Sequence, residues 1–438
     1  MKKTTVKWLA CLLAALTLIG CLTGCGKEKE PELRKVQNVY KAADFPLDAQ
    51  FGSTQEGSTQ NIGTIMAGGG YVYLQGYYYE SSDEYSLNGT RMWRTKTDGS
   101  ELTQIDLGIP EQKRYFNDNS QVWDNVYVSA TAVAPDGTLW MVQNRSHSDG
   151  TDPENYIYEE TNSLIHFGMD GKKQNEIELA SLSESEDGSF YPSAIAADAD
   201  GRVYVAANEG VYILDSAGKL TGRIETDESD AWINSIVNGG DGKVYAVFSN
   251  GPVSGILRAI DPVALTLGEE KIPSKTEDGK ISTNYYSVMP GFGCTVFCSD
   301  DQNVYKYDAE TDKTEKVLNF INSDLNNTEV RTLTPISETQ MVTVSYDYDT
   351  GEQKLLLLTK VPDEDIVAKR IITLGTTSLS YDVRRAVIDF NKTNELYRIE
   401  VRDYSVYNTG TMRAATGAAI SGGANVDVDW EAGIKQFN

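Results

Sequence analysis

The sequence has few of the residues that metal and redox sites need. It contains two histidines, His147 and His166, so a histidine-rich zinc or copper site is not expected. Three of its five cysteines lie in the first 25 residues, which leaves Cys294 and Cys298. Four residues along a strand span about 13 Å, whereas a disulfide needs Cα atoms within about 7 Å of each other. We therefore predict two reduced core cysteines on one face of a strand, and a fold that rests on its own core.

Positive charge is scarce as well. The 438 residues carry 39 lysines and arginines against 64 acidic residues, a net charge of −25. Three lysines belong to the first 24 residues, so the remaining chain carries −28. This balance argues against electrostatic binding of nucleic acid or anionic lipid. We predict no metal and no cofactor; calcium bound by acidic loops stays as an alternative, although no loop shows the spacing of an EF-hand.

Sequence motifs of catalysis are missing. The chain has no Gly-x-Ser-x-Gly elbow, no Walker loop and no Gly-x-Gly-x-x-Gly before a helix. The segment from Asp136 to Trp140 resembles part of a sialidase Asp-box, but the preceding Ala134-Pro135 lacks the usual hydroxyl residue. We predict no catalytic residues. A hydrolase or lyase stays as a minor alternative, because sequence cannot show which carboxylates pair in space.

The N-terminus holds a long hydrophobic run. Three lysines precede an apolar stretch over residues 8–19, which indicates a secretory signal peptide that is too short to span a membrane. Residues 22–25, Leu-Thr-Gly-Cys, resemble the lipobox of bacterial lipoproteins. The resemblance implies that Cys25 is lipidated after removal of residues 1–24 and anchors the chain outside the cytoplasm, at the cell membrane. Cys21 is a second match, but the charged residues 26–30 favour Cys25. An ordinary cleaved signal is the alternative.

Residues 38–362 show no sustained helical period. Their apolar runs are short, and valine, threonine and 25 tyrosines favour strands. Residues 193–224 form a clear unit of four strands with tight turns, in which Asp200-Gly201 suits a hairpin. Similar turns recur at Asp136-Gly137 and Asp241-Gly242. Six such units centre near residues 72, 139, 203, 244, 296 and 342, and units of this size are typical of propeller blades. The hairpins resemble those of sensor-type and NHL-like propellers.

We therefore predict a mainly β fold, with a β-propeller of about six four-stranded blades over residues 38–365. Seven blades and a pair of β-sandwiches are the alternatives. The sixth unit shows three strands, so residues 39–47 are expected to supply its outer strand and close the ring, which removes exposed edges. Residues 25–37 are charged and are predicted to form a tether.

A helical period appears after residue 366. Residues 370–375 read as a strand and residues 397–401 as another. Between them we predict a helix with Ser378 as its N-cap. Its apolar face would hold five residues: Leu379, Val383, Ala386, Val387 and Phe390. Strand, helix and strand at this spacing predict a βαβ unit with parallel strands.

Residues 389–394 (Asp-Phe-Asn-Lys-Thr-Asn) and 397–401 (Tyr-Arg-Ile-Glu-Val) resemble the start of extracellular solute-binding proteins of the maltose-binding-like class. Residues 432–438 resemble the next helix of that family, although Glu395 stands where the family often has proline. The resemblance implies a sugar or other small solute as ligand and ABC permease subunits as partners. It places the cleft rim at Thr376, Thr377 and Ser378, which are alternatively turn and cap residues. The family has two lobes, so residues 366–438 are interpreted as a truncated α/β lobe.

These patterns predict a membrane-anchored solute-binding lipoprotein of an ABC uptake system, for carbohydrate, with the propeller as scaffold or recognition module. The alternative is a non-catalytic propeller lipoprotein for protein or glycan interaction. Three aromatic groups are candidates to stack on sugar rings, with packing inside the blades as the alternative: Tyr77-Tyr78-Tyr79, Tyr285-Tyr286 and Trp140.

Overall fold

The computed structural model describes residues 30–47, 52–55, 58–115, 122–152, 155–183, 190–207, 210–226, 232–250, 253–273, 287–376 and 378–403. The predicted signal peptide and Cys25 lie outside the described residues. So do Tyr285, Tyr286 and Thr377, and the segment 404–438 that completes the predicted C-terminal lobe.

Two short strands precede the first large sheet, which we call blade 1. Blade 1 consists of the fourth to seventh strands of the chain, and the short third and eighth strands are added at its edges. The strands in chain order are β1 Leu33–Arg34, β2 Tyr40–Asp44, β3 Gly52–Gln55, β4 Ser58–Gly68, β5 Tyr71–Ser81, β6 Tyr85–Lys96, β7 Thr103–Ile105 and β8 Gln112–Tyr115.

Four further antiparallel sheets of four strands, blades 2 to 5, follow in order along the chain. Blade 2 consists of β9 Val122–Val133, β10 Leu139–Asp149, β11 Ile157–Phe167 and β12 Lys173–Glu178. Blade 3 consists of β13 Ala194–Ala197, β14 Val203–Ala207, β15 Gly210–Leu214 and β16 Leu220–Glu225. Blade 4 consists of β17 Trp232–Asn238, β18 Val244–Asn250, β19 Val253–Asp261 and β20 Thr266–Leu267. Blade 5 consists of β21 Ser287–Pro290, β22 Val296–Ser299, β23 Asn303–Asp308 and β24 Lys313–Asn319.

Blade 6 joins the two ends of the ring. It consists of β25 Val330–Pro335, β26 Gln340–Tyr346 and β27 Gln353–Lys360, and β2 pairs with β27 as its outer strand. Ala43 lies opposite Leu357 in this antiparallel pair. The prediction that residues 39–47 supply the missing outer strand is therefore confirmed.

The sheets form a closed ring, a β-propeller. The first strand of each blade contacts the first strand of the next, and β25 of blade 6 contacts β4 of blade 1. Among the described residues, one apolar cluster lies between each pair of adjacent blades. Central strands such as β14 are buried on both sides, which explains their continuous apolar sequence. Six blades are present in the described ring, so the sandwich and seven-blade alternatives are wrong.

Turns between the first and second strands of the blades lie on one face of the ring. Gly69 N donates to Pro135 O between blades 1 and 2, at 3.1 Å. Gly240 N donates to Thr295 O between blades 4 and 5, at 3.0 Å. Gly137 and Gly242 have φ values of 85° and 82° in these turns, which glycine adopts without a Cβ clash. The turns between second and third strands therefore lie on the opposite face, which we call the second-turn face.

The cysteine prediction holds in one respect and fails in another. Cys294 and Cys298 are free and buried. The strand, however, begins at Val296, after a turn in which Gly293 has φ 65°. Cys294 therefore packs between blades 5 and 6, whereas Cys298 packs between blades 4 and 5. The two thiols do not share one face.

The predicted βαβ unit is present after the propeller. It consists of β28 Lys369–Thr376, helix α1 Tyr381–Thr393 and β29 Tyr397–Asp403, and the two strands are parallel. Strand β1 adds antiparallel to β28, so part of the predicted tether belongs to this small sheet. The described chain holds this single unit and no larger α/β lobe.

Two details of the predicted helix are wrong. Its N-cap is Ser380, whose hydroxyl accepts from Val383 N, and not Ser378. Its buried residues are Arg384, Val387, Ile388 and Asn391, while Val383 and Ala386 are exposed. The two buried polar residues were not predicted because their partners lie outside the helix. Arg384 donates to Asp301 O on blade 5, and the side-chain amide of Asn391 bonds both N and O of Ile399 on β29.

The βαβ unit docks on blades 5 and 6. Arg398 is buried and its Nη2 lies 2.6 Å from Asp324 Oδ1 in the loop between these blades. Arg385 pairs with Asp349, in the second turn of blade 6, at 2.7 Å. No helix among the described residues is both long and apolar enough to cross a membrane.

Candidate functional site

The cleft-rim residues predicted from the solute-binding resemblance lie at the end of β28. Thr376 is the last residue of this strand, and Ser378 N donates to its Oγ1 at 3.1 Å. Thr376 Oγ1 in turn donates to Ser378 O. Thr377 lies outside the described residues. The hydroxyl of Thr376 is thus used within the turn that leads to the helix.

Two of the predicted sugar-stacking aromatics are covered by neighbouring side chains, one fully and one in part. Trp140 is 2% exposed and stacks on His166, with 4.0 Å between ring centroids. Tyr78 is half-buried, because the guanidinium of Arg91 lies 3.7 Å from its ring centroid. Tyr77 and Tyr79, by contrast, are 55% and 44% exposed.

The exposed aromatics lie where blades 1 and 2 project from the ring. Strands β4, β5, β6, β9, β10 and β11 each have 11 or 12 residues. The first three strands of blade 3 have four or five. The difference extends the sheets by about 20 Å at 3.3 Å per residue. The extensions leave the ring on the second-turn face.

On the blade 1 extension, one side of the sheet is a network of tyrosines and charges. Glu80 accepts hydrogen bonds from the hydroxyls of Tyr78 and Tyr85. These two bonds, the one from Tyr78 first, hold the pKa of Glu80 below its usual value. The Lys113 ammonium lies 3.7 Å from the ring centroid of Tyr85. This side is held together by its own contacts.

Strand β8 connects the two extensions. It pairs with β6 of blade 1, and Gln112 Nε2 donates to Asn125 Oδ1 of blade 2 at 2.9 Å. The guanidinium of Arg114 lies 4.0 Å from the ring centroid of Trp123, which stays 43% exposed. The projecting sheets therefore form a connected surface.

The blade 2 extension carries aromatic and titratable groups. Tyr156 and Tyr158 are 63% and 58% exposed. Tyr158 donates from its hydroxyl to Glu160 at 2.9 Å, which is the main reason that the pKa of Tyr158 is raised. His147 Nδ1 lies 2.7 Å from Asp124 Oδ1, and this bond raises the pKa of His147.

The described residues do not form a metal-binding cluster. Groups of three or more His, Cys, Asp or Glu side chains able to hold a metal ion are absent from them. Burial raises the pKa of Asp300, but its carboxylate accepts from Gln302 N, Asn303 N and the hydroxyl of Tyr305 within one turn. The Asp300 carboxylate therefore stabilises the turn between the second and third strands of blade 5.

Four exposed aromatics of the extensions were not predicted from the sequence: Tyr115, Trp123, Tyr156 and Tyr158. The alternation of Tyr156 and Tyr158 was a usable signal, because residues two apart on a strand point to the same side. Their exposure was not, since it depends on how far the strand extends beyond the ring.

Comparisons with known proteins give no family for this chain. No family model matches it, and no curated protein does. Among solved structures, it is similar to the WD40 domain of Neurospora crassa Pan2, at 8% identity and a TM-score of 0.36, covering 76% of this chain and 98% of the other. A gluconolactonase from Xanthomonas campestris matches at 11% identity and TM-score 0.33, with coverage of 76% and 99%. The β-propeller domain of the Trilobed protease from Pyrococcus furiosus matches at 10% and 0.32, with coverage of 69% and 83%. No functional inference follows from likenesses at this level.

Proposed function

We propose that this chain is an extracytoplasmic lipoprotein that binds carbohydrate without catalysis, with the projecting sheets of blades 1 and 2 as its recognition surface. The observation that carries the proposal is the set of exposed aromatic side chains on these extensions. Their faces can cover the apolar side of a sugar ring while neighbouring polar groups bond its hydroxyls. The signal-like N-terminus and the lipobox resemblance supply the location.

Binding is tested with a glycan array probed by the full-length chain in detergent micelles. We expect retention on a subset of glycans. Retention should fall for a Tyr77→Ala/Tyr79→Ala/Trp123→Ala/Tyr158→Ala variant and persist for Val263→Ala. Val263 is 85% exposed but lies on blade 4, so it is a control for loss of an exposed apolar side chain away from the extensions. Equal retention of both variants, or none by the wild type, would refute carbohydrate recognition by this surface.

The lipid anchor needs its own test. Cells that express the chain are labelled with radioactive palmitate, and the label is followed in wild type, Cys25→Ala and Cys21→Ala. We expect loss of the label for Cys25→Ala and its retention for Cys21→Ala. Label that persists in Cys25→Ala contradicts the proposed anchor.

A second candidate function rests on the βαβ unit, whose strands are parallel, as the spacing of strand, helix and strand predicts. In this case the chain captures a small sugar for an ABC permease, and the propeller is a scaffold. Thermal shifts with free mono- and oligosaccharides distinguish the two. A shift that is lost in Thr376→Val but kept when the projecting aromatics are replaced supports solute capture at the βαβ unit. The reverse pattern supports recognition by the propeller.

A further inference from the structure

The pairing register of blade 2 places two exposed aromatic rings in one row. Trp123 on β9 and Tyr158 on β11 both lie opposite Ser148 on the central strand β10. Residues directly opposite each other on neighbouring strands point to the same side of a sheet. The two rings are therefore separated by two strand spacings, about 10 Å. Between them stands a small hydroxyl side chain.

The next row toward the ring is polar. It holds Asn125, Ser146 and Glu160, again one residue from each strand. The two serines of β10 thus form a floor of small side chains, with larger side chains on β9 and β11 along both sides. We call this surface the serine trough. On its polar flank, Asn125 Oδ1 accepts from Gln112 and Glu160 Oε2 accepts from Tyr158, so the amide Nδ2 and the second carboxylate oxygen are the groups for ligand hydroxyls.

The serine trough faces the blade 3 side of blade 2. Further along the same side, Asn162 Nδ2 donates to Phe190 O, in the segment that leads to blade 3. The first three strands of blade 3 have four or five residues, so they do not reach as far as the extension. Trp123 and Tyr158 are accordingly 43% and 58% exposed.

The charges of the serine trough and of the whole chain indicate which kind of ligand can bind. Glu160 is the acidic residue of these two rows, Arg114 stacks on Trp123, and the whole chain carries −25. A polyanionic ligand would be repelled by this net charge, whereas an uncharged one would not. Aromatic rings with intervening hydroxyl, amide and carboxylate groups match a neutral polyhydroxylated ligand with apolar faces.

We propose that the serine trough binds an extended, uncharged β-linked glycan chain that crosses the strands of blade 2. This inference rests on the proposed carbohydrate recognition and gives it one surface and one ligand class. In an extended ribbon-like glycan, alternate sugars present the same face. Trp123 and Tyr158 stack on two such alternate sugars, and the sugar between them lies over Ser148. A helically curved α-linked chain turns its successive rings away from a common plane, so we expect it to fit this pair of platforms less well.

The test uses isothermal titration calorimetry of the full-length chain in micelles with cellohexaose, with maltohexaose as the curved comparison. We expect Trp123→Ala and Tyr158→Ala each to weaken cellohexaose binding by about tenfold, as loss of one stacking contact implies. Ser148→Phe fills the floor of the trough without removing an aromatic, and should weaken binding as well. Ile157→Ala is the matched control, because Ile157 is 47% exposed on the opposite side of β11.

The outcomes separate this inference from the proposed function. Binding that is insensitive to all three trough variants but lost in Tyr77→Ala/Tyr79→Ala overturns the serine trough and leaves carbohydrate recognition standing. Maltohexaose bound as tightly as cellohexaose overturns the extended chain. Failure of every glycan on the array to bind overturns both. Variants are compared only when their circular dichroism and melting temperature match those of the wild type.

Discussion

At the scale of single residues, the pKa values of the two histidines are expected to be shifted in opposite directions. The hydrogen bond that His147 donates to the Asp124 carboxylate raises the pKa of His147 above 6.5, whereas desolvation lowers the pKa of His166, whose ring stacks on Trp140. His147 therefore stabilises the fold at low pH, and this contribution is lost as pH rises through its raised folded pKa. His166 acts in the opposite sense, because its protonation favours the unfolded chain as pH falls below 6.5.

Two imidazole signals make this prediction easy to check by NMR titration. Asp124→Asn should return the His147 pKa toward 6.5 and leave His166 unchanged. A His147 midpoint below 6.5 in the wild type contradicts the prediction.

Arg398 is the residue whose loss should most weaken the docking of the βαβ unit. Its Nη2 lies 2.8 Å from Ile321 O, 2.6 Å from Asn322 O and 2.6 Å from Asp324 Oδ1. Arg398→Ala leaves these acceptors without their donor, and we expect a loss of about 1–3 kcal/mol in the free energy of unfolding by urea. Arg402→Ala, an exposed position on the same strand, should change it by less than about 0.5 kcal/mol. Equal effects of the two substitutions would show that Arg398 does not hold the interface.

At the scale of elements, ring closure by β2 can be tested with proline. Phe45 N donates to Leu355 O, and Val361 N donates to Val39 O. Because bonding alternates along a strand, the N–H of Ala43 points to β27 and that of Ala42 points away. Ala43→Pro removes a ladder bond and should lower the free energy of unfolding by about 1–3 kcal/mol, more than Ala42→Pro. Urea unfolding of the two variants in parallel tests this. A larger loss in the free energy of unfolding for Ala42→Pro would contradict the pairing register of β2 with β27.

The strands and the helix could be predicted because turn residues and the period of the apolar residues are visible in the sequence. Asp200-Gly201 marks a hairpin through local backbone chemistry, and a period of two or 3.6 separates strands from the helix. The buried face of the helix could not be predicted, because it depends on tertiary contacts. The helix buries Arg384 and Asn391 because their partners lie on β29 and on blade 5. Nothing within the helix itself indicates those partners.

At the scale of the whole molecule, the recognition surface depends on differences between blades. Trp140 and Tyr158 are aromatic residues of neighbouring strands in blade 2, yet one is 2% and the other 58% exposed. Trp140 lies within the ring, where adjacent blades cover it, whereas Tyr158 lies on the extension. Sequence patterns place both in strands but do not show how far each strand projects beyond its neighbours. The propeller ring could therefore be predicted from the sequence, whereas the exposed surface of its projecting blades could not.

The path of the chain should keep the βαβ unit attached even when its direct link to the propeller is cut. Strand β1 belongs to the small sheet and β2 to blade 6, so the chain passes between the two parts at residues 35–39 and again at residues 361–368. A protease site that replaces residues 362–365 cuts the second passage only. We expect the two fragments to co-elute in gel filtration after cleavage, because β1–β28 pairing and the Arg398 and Arg385 contacts remain. They should separate in urea, and separation in native buffer would contradict this arrangement. Adding Arg398→Ala to the cleaved chain should lower the urea concentration at which the fragments part.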